Sequence, residues 1–76
     1  MKQIAEMTGS EVVVLFTRFG YSLNSIADKA GLACSTVWAM ANGSSAQERT
    51  AEALRRAFRQ EVEHRRSELK EMEEYL

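Results

Sequence analysis

No proline occurs in the 76 residues, and beyond Gly43 there is no glycine either, so nothing in the local chemistry breaks a helix from there to Leu76. A single cysteine, Cys34, excludes an internal disulfide and suits a reducing compartment. One cysteine and one histidine, His64, cannot assemble a four-ligand zinc site, so no metal is expected. No apolar run approaches the ~20 residues that cross a bilayer. The N-terminus also lacks the basic start and longer apolar stretch of a signal peptide, so a cytoplasmic chain with no membrane partner is expected. Neither a Ser/His/Asp arrangement, nor a carboxylate pair suited to a pocket, nor a glycine-rich phosphate loop is present. The expectation is therefore no enzyme, no cofactor and no small-molecule substrate.

Neither acidic nor basic residues dominate. The formal net charge of −1 argues against a generic polyanion binder, but the average hides an asymmetry. Residues 1–59 carry seven Lys or Arg against five Asp or Glu, whereas residues 60–76 carry three against six. The body is mildly basic and the tail acidic. A chain of this length makes one domain that buries a modest fraction of its surface, and dimerisation is a natural remedy for marginal stability.

What is present centres on residues 23–42, LNSIADKAGLACSTVWAMAN. Ile26, Ala27 and Ala30 share one helical face. Gly31 then supplies the left-handed backbone that closes a helix cheaply. Leu32 sits in the turn, and Val37 with Met40 forms a second apolar stripe at helical spacing. Ala27 is small enough for the second helix to cross close over the first. A short helix, a glycine-containing turn and a second short helix define a helix-turn-helix.

At these residues the sequence resembles a known family. The pattern AxxAGLxxSTVxxMxNG, over residues 27–43, is similar to the helix-turn-helix of the phage repressor/Cro family and to the lactose-repressor headpiece. The resemblance implies a DNA-binding domain whose first helix lies across the sugar–phosphate backbone, with Ser22 and Asn24 near a phosphate. Capping of the helix explains Ser22 equally well. It implies that the second helix, about residues 33–41, enters the major groove. By position Ala33, Cys34, Ser35, Trp38 and Ala39 then face base edges, with Thr36 or Asn42 beside a phosphate. Here the chain departs from the family pattern, because it offers a hydroxyl, a thiol, methyl groups and an indole where Gln, Asn or Arg usually stand. Ala33 and Ala39 suit a thymine methyl, and Ser35 suits several base edges. For Trp38 the expectation is packing against the N-terminal segment or the tail; the alternatives are exposure at the DNA surface or a dimer contact.

The flanks read as helices. Residues 11–19, EVVVLFTRF, favour a strand by their three valines, yet Val12, Phe16 and Phe19 fit one helical face and no second strand is available to pair. Ser10 is the expected N-cap. Residues 1–8 read as a short helix, a packed arm or a disordered terminus, with Lys2 solvated or touching a phosphate. Ser45 followed by Glu48 reads as a capping box that opens a helix running to Leu76. Ala51, Leu54 and Phe58 would pack on the helix-turn-helix. Arg49, Arg55, Arg56 and Arg59 form the basic cluster, with Arg49, Arg55 and Arg56 as candidate phosphate contacts and Arg59 alternatively paired with Glu63.

Further along, Phe58, Val62, Arg65, Leu69, Met72 and Leu76 repeat with heptad spacing. That stripe suits a partner helix, preferably antiparallel or crossed so that Arg65 reaches Glu61 or Glu68 of a second copy; packing on its own domain is the competing reading. The expected protein is all-α, with four to five helices, a central helix-turn-helix and a long C-terminal helix. Residues 1–59 form the DNA-binding domain and residues 60–76 a dimerising extension. It would act as a homodimeric transcriptional regulator of a phage or plasmid type, on an inverted-repeat operator in duplex DNA. The alternative is a protein-interaction adaptor or antirepressor that keeps the fold without reading DNA.

Overall fold

Helices supply all the regular structure among the described residues, which in this computed structural model are 2–44, 47–65 and 75. A single 3₁₀ turn, Ile4–Glu6, leads into α1 (Gly9–Arg18), α2 (Leu23–Ala30), α3 (Cys34–Ala41) and α4 (Glu48–His64). The all-α expectation holds, with α2 and α3 at the centre and α4 the longest element.

The triple valine is helical because burial overrides its strand propensity. Val12, Val13, Leu15 and Phe16 turn inward along α1, while Val14 stays 55 % exposed. The helix starts earlier than Ser10. Thr8 is its N-cap, accepting from the Glu11 N–H at 3.2 Å, while the Glu11 carboxylate accepts from the Thr8 N–H at 2.9 Å. This reciprocal box satisfies two of the orphan donors of the first turn. Ser10 is freed for a longer-range role: its hydroxyl donates to the Met40 carbonyl at 2.8 Å, tying the start of α1 to the end of α3.

Gly31 sits at φ 68°, as its place in the turn requires. The Gly31 N–H reaches the Asp28 carbonyl at 3.3 Å and the Leu32 N–H reaches the Ala27 carbonyl at 2.9 Å. These are the paired bonds of a Schellman closure, with Leu32 folded back toward the core. Chain reversal is thus complete within residues 31–33. The same bond pattern ends α1 and α3, and at the end of α1 it brings Tyr21 edge-on to Phe16 at 5.2 Å between ring centres.

The core lies where α1 packs on α4, with the α2–α3 pair closing one side. Phe16 and Phe58 meet edge to face at 5.2 Å in its middle, both fully buried. Ile26, Ala27, Val37 and Met40 complete it from the α2–α3 side, and Leu54, Ala57 and Val62 from α4. The N-terminal segment is a packed arm: Ile4 and Met7 are buried, and Lys2 pairs with Glu11 at 2.8 Å.

Two readings of the C-terminal half change. Glu48 opens α4 with Gln47 in the N-cap position, so Glu48 does not sit third in a box opened by Ser45, which lies outside the described residues. The helix also stops at His64, where Arg65 leaves helical geometry at φ −114° and ψ 24°. Tyr75 is buried back against the body. Its carbonyl accepts from the Ile4 N–H at 2.7 Å, and its ring meets Phe19 edge to face at 6.1 Å. Phe58 and Val62, expected on a stripe shared with a second copy, are spent inside their own core, because α1 covers that face of α4 first. Arg65 turns to its own Tyr21 hydroxyl at 2.9 Å and lies 3.9 Å from its own Glu61. Leu69, Met72 and Leu76 lie outside the described residues, as does Glu68.

Candidate nucleic-acid interface

The α2–turn–α3 unit presents one outward surface. Val37 and Met40 anchor α3 in the core, which turns Cys34, Ser35, Trp38, Ala41 and Asn42 to the outside. Ala33, the N-cap of α3, is exposed beside them, while Thr36 and Ala39 are half-buried. Trp38 is 60 % exposed, which overturns the expectation that it packs on the arm or the tail. The reason is helical phase: once Val37 and Met40 point inward, residue 38 stands about 100° away, and no element of the described chain reaches over it.

The two helix starts are joined. The Cys34 thiol donates to the Asn24 side-chain oxygen at 2.6 Å, which sets the first turn of α3 against the first turn of α2. Ser22 is exposed and caps α2, its hydroxyl accepting from the Ser25 N–H at 3.1 Å. At the far end, the Asn42 side-chain amide donates to the Trp38 carbonyl at 2.9 Å and helps finish α3. Ser35, Thr36 and Ala39 line an open groove of about 380 Å³, walled on the other side by Ser44, Gln47 and Thr50 at the start of α4.

The electrostatics of this surface are spare. α3 carries no charged side chain, its sequence being CSTVWAMA. Most described cations are committed elsewhere. Lys29 pairs with Glu61 at 3.2 Å, and Arg59 with Glu52 at 3.2 Å rather than with Glu63. Arg49 and Arg56 are exposed and make no ion pair among the described residues. Seven residues apart, they share one solvent-facing side of α4.

Arg55 is not a phosphate contact. It is 8 % exposed, and its Nε and one terminal nitrogen donate to the Met7 carbonyl at 3.1 and 2.8 Å. The other terminal nitrogen bonds Glu48 at 2.6 Å and Glu52 at 3.1 Å. The Glu48 hydrogen bond pushes the guanidinium pKa up against the opposing effect of burial. Arg55 therefore clamps the N-terminal arm to α4. Its spacing from Glu48 and Glu52, seven and three residues upstream on one helix face, is the sequence signal for that role.

A second network escaped sequence reasoning altogether. The Tyr21 hydroxyl donates to Glu61 at 2.8 Å, with the Lys29 ammonium and the Arg65 guanidinium each 5.8 Å from the Tyr21 ring centre. Burial pushes the Glu61 carboxyl pKa up. The Tyr21 and Lys29 hydrogen bonds and the charges of Lys29 and Arg65 outweigh that and hold it below its ordinary value. Burial first, then the bond to Glu61, push the Tyr21 phenol up. This cluster locks both ends of α2 onto α4, so the outward surface rides on a rigid base.

Among the described residues no group of side chains could hold a metal ion, and no helix is long and apolar enough to cross a membrane. Comparison with protein-family models, with curated proteins and with solved structures finds no match to this chain. The functional reading therefore rests on the side chains and their geometry.

Proposed function

We propose that this protein is a sequence-specific duplex DNA-binding transcriptional regulator of the phage repressor/Cro kind, using α3 as its recognition helix. The observation that carries the reading is the α2–turn–α3 unit. A three-residue turn closed at Gly31 presents the outward face of an eight-residue helix, uncovered by the rest of the described chain. Such a helix fits the ~12 Å width of the major groove. Ala33, Cys34, Ser35, Trp38 and Ala39 are the proposed base-facing set; Ser22, Asn24, Thr36 and Asn42 flank it, and Arg49 and Arg56 supply phosphate contacts.

Two copies on an inverted repeat complete the proposal. A body of 31 × 22 × 19 Å can be placed beside a second one at the ~34 Å repeat of the duplex, so neighbouring copies come within contact range without the Phe58–Val62 stripe. A reducing cytoplasm suits the exposed thiol of Cys34.

Selection from random duplexes followed by mobility shift tests the reading. With two phosphate contacts per chain, log affinity should fall against log salt with a slope of roughly −1.8 per chain bound. Ser35→Ala should cost roughly one hydrogen bond, ~1 kcal/mol of specific affinity, and leave the fold intact. The absence of charge on α3 favours a second reading, a protein-interaction adaptor with the same fold. Failure to enrich any duplex, together with a negligible salt slope, would select the adaptor.

A further inference from the structure

Resting on the DNA-binding reading, we infer that Trp38 is the specificity-determining residue of α3 and that it reads the 5-methyl group of thymine in the major groove. The surroundings of the indole lead there. Its neighbours one turn away on the outward face are Cys34, Ser35, Ala41 and Asn42, all far smaller, so the ring is the highest point of the surface. Any groove that receives α3 meets Trp38 first.

Two of the polar side chains around the ring are already partly engaged within the chain. The Asn42 amide donates to the Trp38 carbonyl at 2.9 Å, and the Cys34 thiol donates to Asn24 at 2.6 Å. No cation of α3 is available for guanine. The largest outward group is an apolar ring, 60 % exposed, with a single N–H donor that bonds no described residue, beside the Ser35 hydroxyl.

Base edges differ in how they receive such a group. Guanine offers two acceptors, of which one N–H serves only one, and cytosine offers an amino donor the indole cannot accept from, so a ring laid on either leaves a polar atom stripped of water. Adenine pairs a donor with an acceptor. Thymine alone offers a methyl group beside an acceptor oxygen, which matches an apolar ring carrying one N–H. The recognised element is therefore a thymine facing Trp38 in each half-site, read by burial of its methyl.

The test replaces each thymine of a selected duplex by deoxyuridine, one position at a time, which removes the methyl and leaves the pairing edge unchanged. The wild-type chain should lose about fourfold in affinity at one position per half-site, the worth of one buried methyl. In Trp38→Ala, whose fold is checked by circular dichroism, the same replacement should change affinity by less than about twofold. Trp38 is the only tryptophan, so its fluorescence should respond to the thymine duplex and less to the uracil one. Uracil tolerated at every position by a wild-type chain that still selects duplexes would overturn the inference and leave the DNA-binding reading standing. Failure to enrich any duplex would overturn both.

Discussion

Replacing Arg55 by alanine separates a structural arginine from a DNA-contacting one. The substitution removes both donors from the Met7 carbonyl, at 2.8 and 3.1 Å, and leaves Glu48 and Glu52 without their shared cation. The two ion pairs contribute little, since Glu48 is 81 % and Glu52 44 % exposed and solvent screens them. The carbonyl decides the outcome. A charge-assisted bond to a buried acceptor is worth ~1.5–3 kcal/mol, and the guanidinium stem adds some lost packing. A loss of ~2–3 kcal/mol is expected, which for a domain of this size lowers Tm by roughly 10–20 °C. Thermal and urea unfolding followed by circular dichroism measure it. DNA affinity at a temperature where the variant is folded should stay near wild type. Arg56→Ala is the counterpart: exposed and without an ion pair among the described residues, it should change stability by less than ~0.5 kcal/mol while reducing the salt slope by ~1 per chain. An Arg55→Ala protein that melts like wild type and binds DNA weakly would refute the clamp.

Gly31 has φ 68° with open space where a Cβ would go, so the cost of substitution there is backbone strain alone. Gly31→Val should lose more than ~1 kcal/mol in urea unfolding and Gly31→Asn markedly less, because Asn tolerates the left-handed region; equal losses would remove the strain argument. Glu61 has its folded pKa depressed, so its contribution to stability is present above about pH 4.5 and is lost as the pH falls below that value. Glu61→Gln should flatten the acid limb of a stability–pH curve, and an unchanged acid limb would count against the Tyr21–Glu61 network. Tyr21 has its folded pKa raised, so its contribution is present below about pH 10 and is lost as the pH climbs through the higher folded value. Tyr21→Phe should remove the alkaline loss. Phe58→Ala should destabilise the monomeric fold by ~3–5 kcal/mol, as a fully buried core ring does, instead of yielding a folded monomer from a dimer; sedimentation combined with unfolding distinguishes the two.

Much of the centre of this protein was legible because its signals are local. A left-handed glycine, a serine before a helix and apolar residues three and four apart each act within a turn or so of chain. The cap at Ser22, the helix start at Leu23, the turn at Gly31 and the inward Val37 and Met40 therefore read correctly without any knowledge of the rest. The flanks were less legible where two local solutions compete. Thr8 and Ser10 are both good caps, and the arm made from Ile4 and Met7 gave Thr8 its place by packing beneath α4. Trp38 shows the same limit at the candidate site. Its helical phase was readable, but whether another element would cover it depended on where the arm and the tail went.

Local chemistry was enough for the helical class, the reversal at Gly31 and the inward phase of Val37 and Met40, since these follow from backbone dihedrals and a period of 3.6 residues. What each outward or inward face meets was settled by long-range packing. The apolar face of α4 through Phe58 and Val62 is equally suited to a second copy or to α1, and α1 took it because a segment of the same chain is always at hand. Arg55 is likewise the same cation whether it faces phosphate or a buried carbonyl. What assigned it was Met7, 48 residues away in sequence and 2.8 Å away in space. Periodicity names a face; long-range packing chooses its partner.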